Sequence, residues 1–300
     1  MKKHYSAFIA VICLISLLLS GCSQKYLRIS FATEGELGTG TEYMDSSTAL
    51  EYTATDSFPV RIPVYKISER KISTSEFNEM LRRLGLDEDK EKAGKIELNG
   101  NKLSGMLVSP TDESMGYITK SDSELEKLAW DVFNRLPFIE GEYECLGIRI
   151  TTTLTNSQGK HILRAGVSFR RLLGDYRVVG NDRCDLIFDN TGLAEIYITL
   201  YDYKETGHID IVPLEDAAKR IKDPDQFIYD DQKLMIDYSP LDKISVDKVK
   251  LMLVNQYSRG CKVLQPVYVF SGTAEDKNGA EGEFKSLVIA IPEEYTYEVE

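Results

Sequence analysis

The chain has 300 residues, of which 42% are hydrophobic, with 36 Lys+Arg against 48 Asp+Glu and a formal net charge of −12. That hydrophobic share excludes an intrinsically disordered chain. The acidic balance argues against partners such as nucleic acid or anionic lipid headgroups.

Lys2, Lys3 and His4 make a short basic start, and residues 7–19 are almost wholly apolar before Ser20, Gly21 and Cys22. A basic n-region, an apolar h-region and small residues at a cleavage point compose a bacterial export signal. The apolar run is shorter than the ~20 residues that span a bilayer comfortably. The quartet Leu19-Ser20-Gly21-Cys22 resembles the lipobox of bacterial lipoproteins. That resemblance implies cleavage before Cys22, lipid attachment to its thiol, and a place on the extracytoplasmic face of the cell membrane. Two acyl chains suffice for stable anchoring, whereas one is marginal. An uncleaved anchor helix with an incidental cysteine is the alternative. Residues 1–21 carry two lysines and no acid, so the chain from Cys22 onward has a formal charge of −14. Attachment to the membrane is therefore expected through the lipid and not through a basic patch.

Residues 22–57 follow as an expected tether, rich in Gly, Thr, Ser and acid and without helical periodicity. Its "GELGTG" lacks the Lys-Ser/Thr and the preceding apolar strand of a phosphate loop. An N-terminal α+β part is expected over 58–142. "FPVRIPVYKI" alternates and predicts a strand. In "STSEFNEMLRRLG", Ser73 and Glu76 fit a capping box, and Gly85 sits where a C-terminal glycine cap belongs. "SDSELEKLAWDVFNRLP" repeats the pattern with Ser121 and Glu124, and Pro137 stops it.

Residues 143–300 form the expected C-terminal part. "NSQGK", "LGD", "GND" and "DNTG" separate short alternating runs up to residue 203, which predicts an antiparallel meander of four or five strands. "VPLEDAAKRI" predicts a short helix behind Pro213. "QFIYDDQKLMIDYS" reads as a strand or extended pair, "SVDKVKLMLVNQY" as a helix, and the last segment as a hairpin around "DKNG". Strands and helices in separate blocks predict an α+β fold with antiparallel sheets, each packed by one or two helices. "IPVYKIS" and "QPVYVFS" echo one another, as do "KISTSEF" and "KISVDKV". Two related sheet-plus-helix halves would explain the echoes; chance is the alternative.

The block "GVSFRRLLGDYRVVGNDRCDLIFDNTGLAEIYI" resembles the core of PepSY-like and YycH/YycI-type extracytoplasmic proteins. "IVPLEDAAKRI" and "LQPVYVFSG" with "GEFKSLVIAI" extend the likeness over roughly residues 165–292. The chain is also similar to lipoproteins of Firmicutes with the same order of parts. These resemblances imply a noncatalytic protein that binds or regulates another cell-envelope protein. The YycI type is held by a transmembrane helix, whereas this chain carries a lipobox.

No catalytic motif stands out: there is no HExxH, no GxSxG and no kinase signature. No cofactor is expected. His161 and His208 are the histidines beyond the signal, and His208 with Asp210 is too small a set for a metal. The acid pairs Asp230-Asp231 and Glu293-Glu294 could serve a hydrolase, but with 48 acids such pairs arise by coincidence. Cys145, Cys184 and Cys261 read as small buried hydrophobes, with one disulfide among them as the alternative. Arg170, Arg171 and Arg177 form a basic island that could take an acidic ligand or partner, or pair with acids across strands. Tyr197, Tyr201, Tyr203 and Tyr268, with Tyr197 and Tyr201 foremost, could give a sheet a peptide- or glycan-binding face, although Tyr is also a favoured strand residue.

Overall fold

The structure, a computed structural model, describes residues 26–28, 37–39, 48–108, 116–156, 159–180, 182–222, 227–229, 241–258, 261–279, 281–292 and 296–298. Cys22, Asp230-Asp231 and Glu293-Glu294 lie outside the described residues, as does most of the expected tether.

The fold is mixed α+β and mostly strand. Its first sheet region is built on β8 (Gly159–Leu173). β7 (Glu142–Asn156) pairs with one edge of β8, and β10 (Arg183–Phe188) pairs with the other. β11 (Leu193–Thr199), β6 (Lys102–Met106) and β5 (Ile96–Asn99) continue outward, every pair antiparallel. In the second region β14 (Leu241–Ser258) and β15 (Cys261–Asp276) form a long hairpin, extended by β16 (Glu281–Ile289), β13 (Phe227–Tyr229) and β2 (Leu37–Thr39). β9 (Tyr176–Gly180) joins the two regions. Its first residues pair with the end of β8, and Val178–Gly180 then run parallel to Leu253–Asn255 of β14. β4 (Arg61–Glu69) and β12 (Tyr201–Asp210) make a separate antiparallel pair, and β1 (Tyr26–Arg28) lies parallel to β17 (Thr296–Glu298).

The large sheet is mixed, not purely antiparallel as the turn signals predict. β9 and β3 (Ala49–Tyr52) both run parallel to β14, and parallel neighbours are reached through long connections that no local turn announces. The expected boundary at 142/143 falls within the first residues of β7, and β6 pairs with β11 and β4 with β12 across it.

The inner face of the first region is covered by α1 (Thr74–Leu84) and α3 (Asp122–Asn134), with α2 (Lys90–Ala93) a single turn between them. α1 begins as the sequence predicts: the Ser73 amide donates to the Glu76 carboxylate at 2.8 Å, and the Glu76 amide donates to Ser73 Oγ at 3.2 Å. It ends at Gly85 in the left-handed region, φ 68. The amide of Ser121 meets Glu124 in the same way at 2.8 Å. Met80 and Leu81 of α1, and Leu125, Ala129, Val132 and Phe133 of α3, bury against Val167, Phe169, Leu186 and Ile196 of the sheet. Each large apolar side chain so buried contributes about 1.5–3 kcal/mol.

The predicted helix at "SVDKVKLMLVNQY" is instead the body of β14. Leu251 and Leu253 face one core, while Met252 and Val254 face another on the opposite side of the sheet. A strand buried on both faces reads as a continuous apolar run, which periodicity cannot tell from a buried helix. Only the first of the two "KIS" echoes therefore opens a helix. The helix behind Pro213 forms as expected, as α4 (Leu214–Lys219). The "DKNG" hairpin forms too, with the Gly279 amide donating to the Asp276 carbonyl at 2.9 Å.

Within the stretch expected as a tether, Tyr26–Arg28 pair with β17, Leu37–Thr39 pair with β13, and the described chain docks continuously from Thr48. Thr48 Oγ1 donates to the Leu241 carbonyl at 2.9 Å, Asp56 accepts from the Val249 amide at 2.9 Å, and the Phe58 ring meets Tyr268 edge-on at 5.4 Å. At the bulge between Val246 and Lys248, β14 presses onto Gly272 so closely that a Cβ there would lie 1.8 Å from the Ser245 carbonyl oxygen. Gly272→Ala must therefore displace backbone, and we expect it to cost about 1–3 kcal/mol or more in urea unfolding. A change under about 0.5 kcal/mol, the ordinary surface range, would contradict that close approach.

Candidate functional site

Of the residues singled out for binding, Arg170, Arg171, Arg177, Tyr197 and Tyr268 lie on the large sheet. Arg170 of β8 stands opposite Arg183 of β10 on one side and Glu144 of β7 on the other. Its guanidinium bonds Asp185 at 2.9 Å. Arg177 of β9 holds Glu144 with two contacts, 2.6 Å from Nε and 2.5 Å from Nη2. The Arg177 guanidinium keeps the Glu144 carboxyl below its usual range. Tyr197 of β11 stands opposite Asp185, and its hydroxyl donates to Glu195 at 2.8 Å. Tyr201 opens β12 opposite Glu69 of β4, on the separate two-stranded sheet. The island is thus largely wired internally: Arg170 bonds Asp185 on the neighbouring β10, Arg177 reaches past β8 to Glu144 of β7 in a bidentate pair, and Arg171 lies over the Tyr143 ring. The tyrosines do not share a face. Tyr268 is buried in the core, its hydroxyl donates to the Val212 carbonyl at 2.8 Å, and burial pushes it up to about 12.

Cys145 and Cys184 are free thiols. Both stand opposite Phe169, one on each side of β8. Two strand spacings put their Cα atoms roughly 9–10 Å apart, beyond the ~7 Å that a disulfide can bridge. Cys184 is fully buried, and burial drives its thiol well above the ordinary range, which suits a small hydrophobe and not a nucleophile. Cys145 is half-buried and raised for the same reason. The side chain of Cys261 lies outside the described residues. His208 is exposed, 3.8 Å from Glu205, and Asp210 pairs with Arg61 at 2.8 Å. His161 stacks on Tyr117 with ring centroids 4.0 Å apart. Among the described residues no group of three or more His, Cys, Asp or Glu could hold a metal ion, and no helix is long and apolar enough to cross a membrane.

The unusual chemistry lies at Asp182, the residue that precedes β10. Asp182 is 0% exposed, and no donor meets either carboxylate oxygen in full hydrogen-bond geometry; the Tyr203 hydroxyl, whose oxygen accepts from Asn255, is the donor that faces it. Burial pushes its carboxyl up to about 7, against the opposing pull of the Tyr203 hydroxyl, Arg171 and Arg170. Tyr203 of β12 is itself pushed up by burial and accepts a 2.9 Å bond from the Asn255 amide of β14. Arg171 lies over the Tyr143 ring, 5.3 Å from its centroid, with its Nε buried and unpartnered. Side chains from β7, β8, β12 and β14 therefore converge on one acid. Sequence reasoning takes "GND" as a turn and misses this cluster. The one local signal is Gly180 at the end of a Val-Val strand, where glycine marks a close backbone approach.

A second buried pair lies across β8 and β11. Arg164 Nη1 bonds Glu195, and Nη2 donates to the Val108 carbonyl at 2.6 Å. This pair fixes Tyr197 through the other Glu195 oxygen. Comparison with protein-family models and with the sequences of curated proteins finds no match to the chain.

Proposed function

We propose that the protein is a noncatalytic lipoprotein, anchored at the extracytoplasmic face of the cell membrane through Cys22, that binds or regulates another cell-envelope protein. The observation that carries this reading is the sequence Leu19-Ser20-Gly21-Cys22 behind a basic start and an apolar run. The likeness of residues 165–292 to PepSY-like and YycH/YycI-type proteins supports the binding role. Two halves of that type are also part of the proposal. In their favour, α1 and α3 serve one core while α4 serves another, on either side of the β9 bridge. The internal pairing of Arg170, Arg177 and Tyr197 fits a structural sheet better than a reaction centre. A peptide- or glycan-binding Tyr face has less support, because Tyr197 and Tyr201 stand on different sheets. A hydrolase reading has no selected carboxylate pair to rest on.

Crosslinking in intact cells followed by affinity purification tests the reading, with Cys22→Ala as the unanchored control. We expect Cys22→Ala to leave the membrane fraction, and one envelope protein to crosslink to the anchored form alone. Identical capture by both forms would remove the regulatory reading.

A further inference from the structure

The Asp182 cluster sits beside a narrow bridge, the strand β9 that links the two sheet regions. Past Arg177, β9 leaves β8 and holds β14 through three residue pairs, Val178–Gly180 against Leu253–Asn255. The approach is close enough that a Cβ at Gly180, φ 110, would lie 2.4 Å from the Asn255 carbonyl oxygen. Two residues later the chain turns into β10, and Asp182 is enclosed at that corner. A buried acid that no donor meets in full hydrogen-bond geometry is rare in native interiors and needs a physical explanation.

The groups around it leave its charge poorly compensated. β8 contributes Arg171 and, from the same strand, Arg170; the first lies over Tyr143 and the second is bonded to Asp185. β7 contributes the Tyr143 hydroxyl, and β10 the Cys184 thiol beside it. β12 contributes the Tyr203 hydroxyl and the like-charged Asp202. β14 contributes the uncharged Asn255 amide, already bonded to Tyr203. Arg170 is bonded to Asp185, and Arg171 lies over Tyr143 with its buried Nε unpartnered; neither closes an ion pair with Asp182 among the described residues.

We propose that Asp182 is a proton-operated latch on the β9–β14 seam: protonated, it is a neutral group that the closed seam can bury; ionised, it favours opening of the seam to water. Opening would let water solvate the carboxylate and return it to its ordinary value of 3.8, whereas the closed seam holds it near 7. Between those values the closed state binds one more proton than the open state, so closure weakens as pH rises. The latch is independent of what the protein binds.

Amide hydrogen exchange on the full chain in detergent micelles tests this, read at Val178–Gly180 and Leu253–Asn255. After correction for the intrinsic pH dependence of exchange, protection at these amides is expected to fall about tenfold from about pH 6 to about pH 8. Protection at Val167 and Leu186, in the β8–β10 pairing, should stay level as the internal control. Asp182→Asn should abolish the fall. Constant protection at the seam in the wild type, or the same fall in Asp182→Asn, overturns the latch. If Asp182→Asn does not fold, the side-chain carboxyl carbon of Asp182 in the wild type decides by its titration. A midpoint near 7 sustains the proposal, and a midpoint below about 5, near the free carboxylate range, sinks it.

Discussion

Arg164→Ala is expected to destabilise the protein by about 3–5 kcal/mol, the range seen when one member of a buried ion pair is removed. Arg164 is 2% exposed and the Glu195 side chain 10%, so neither charge has water to fall back on. Arg164 meets three needs at once. It neutralises Glu195, it satisfies the Val108 carbonyl at 2.6 Å, and through Glu195 it holds the Tyr197 hydroxyl at 2.8 Å. Alanine would leave a buried carboxylate with a single phenol donor and a carbonyl with none. Glu195→Gln keeps the shape but strands the guanidinium, and we expect it to cost several kcal/mol as well. The pair Arg164→Met with Glu195→Met removes both charges and should recover most of the loss, since apolar replacements of buried pairs are often neutral or better. Urea midpoints with unchanged slope would measure all three. Single losses below about 1 kcal/mol, the worth of a surface pair, would mean that the pair is not desolvated.

That pair also shows what could and could not be read from the chain. The helix ends were legible because their signals are local: Ser73 with Glu76, Ser121 with Glu124, and Gly85 after the last apolar residue. The hairpin at "DKNG" was legible for the same reason. The β5–β6 hairpin carries an equally plain mark in its two-residue loop Gly100-Asn101, with φ 63 at Gly100, and the expected order of elements passes over it. β14 was misread because both of its faces are buried, which erases the alternation that betrays a strand. Residues 48–57 read as tether because their docking is backbone pairing and capping onto a strand almost two hundred residues away. The basic island at Arg170 and Arg177 was visible, but its acids lie on other strands, so only register shows that it is neutralised. Asp182 is the extreme case. A turn acid and a buried acid look alike in "GNDRCD", and what buries this one is the convergence of β7, β8, β12 and β14.

Phe169→Ala is the second large effect, expected at about 3–5 kcal/mol. Phe169 is 0% exposed, stacks on Phe133 of α3 with centroids 4.3 Å apart, and meets Trp130 edge-on at 4.8 Å. Such aromatic pairs add about 0.5–1.5 kcal/mol each beyond their buried area. Its strand neighbours on either side are Cys145 and Cys184, too small to close over the gap. The protein has one tryptophan, so Trp130 fluorescence reports on this aromatic cluster of Phe133 and Phe169. The substitution should shift that emission to the red and speed thiol labelling of Cys145. It should also lower the urea midpoint seen by Trp130 and by far-ultraviolet circular dichroism together. Coincidence is expected because β9 pairs with both β8 and β14, and because the β4–β12 pair, which buries Ile62 in the second core, is tied to the first where the Arg70 amide donates to the Leu200 carbonyl at 3.3 Å. If the Trp130 transition moved while the circular dichroism midpoint held, the β14–β16 region would be folding on its own. The β9 seam would then be an interface between two units and not part of one cooperative sheet.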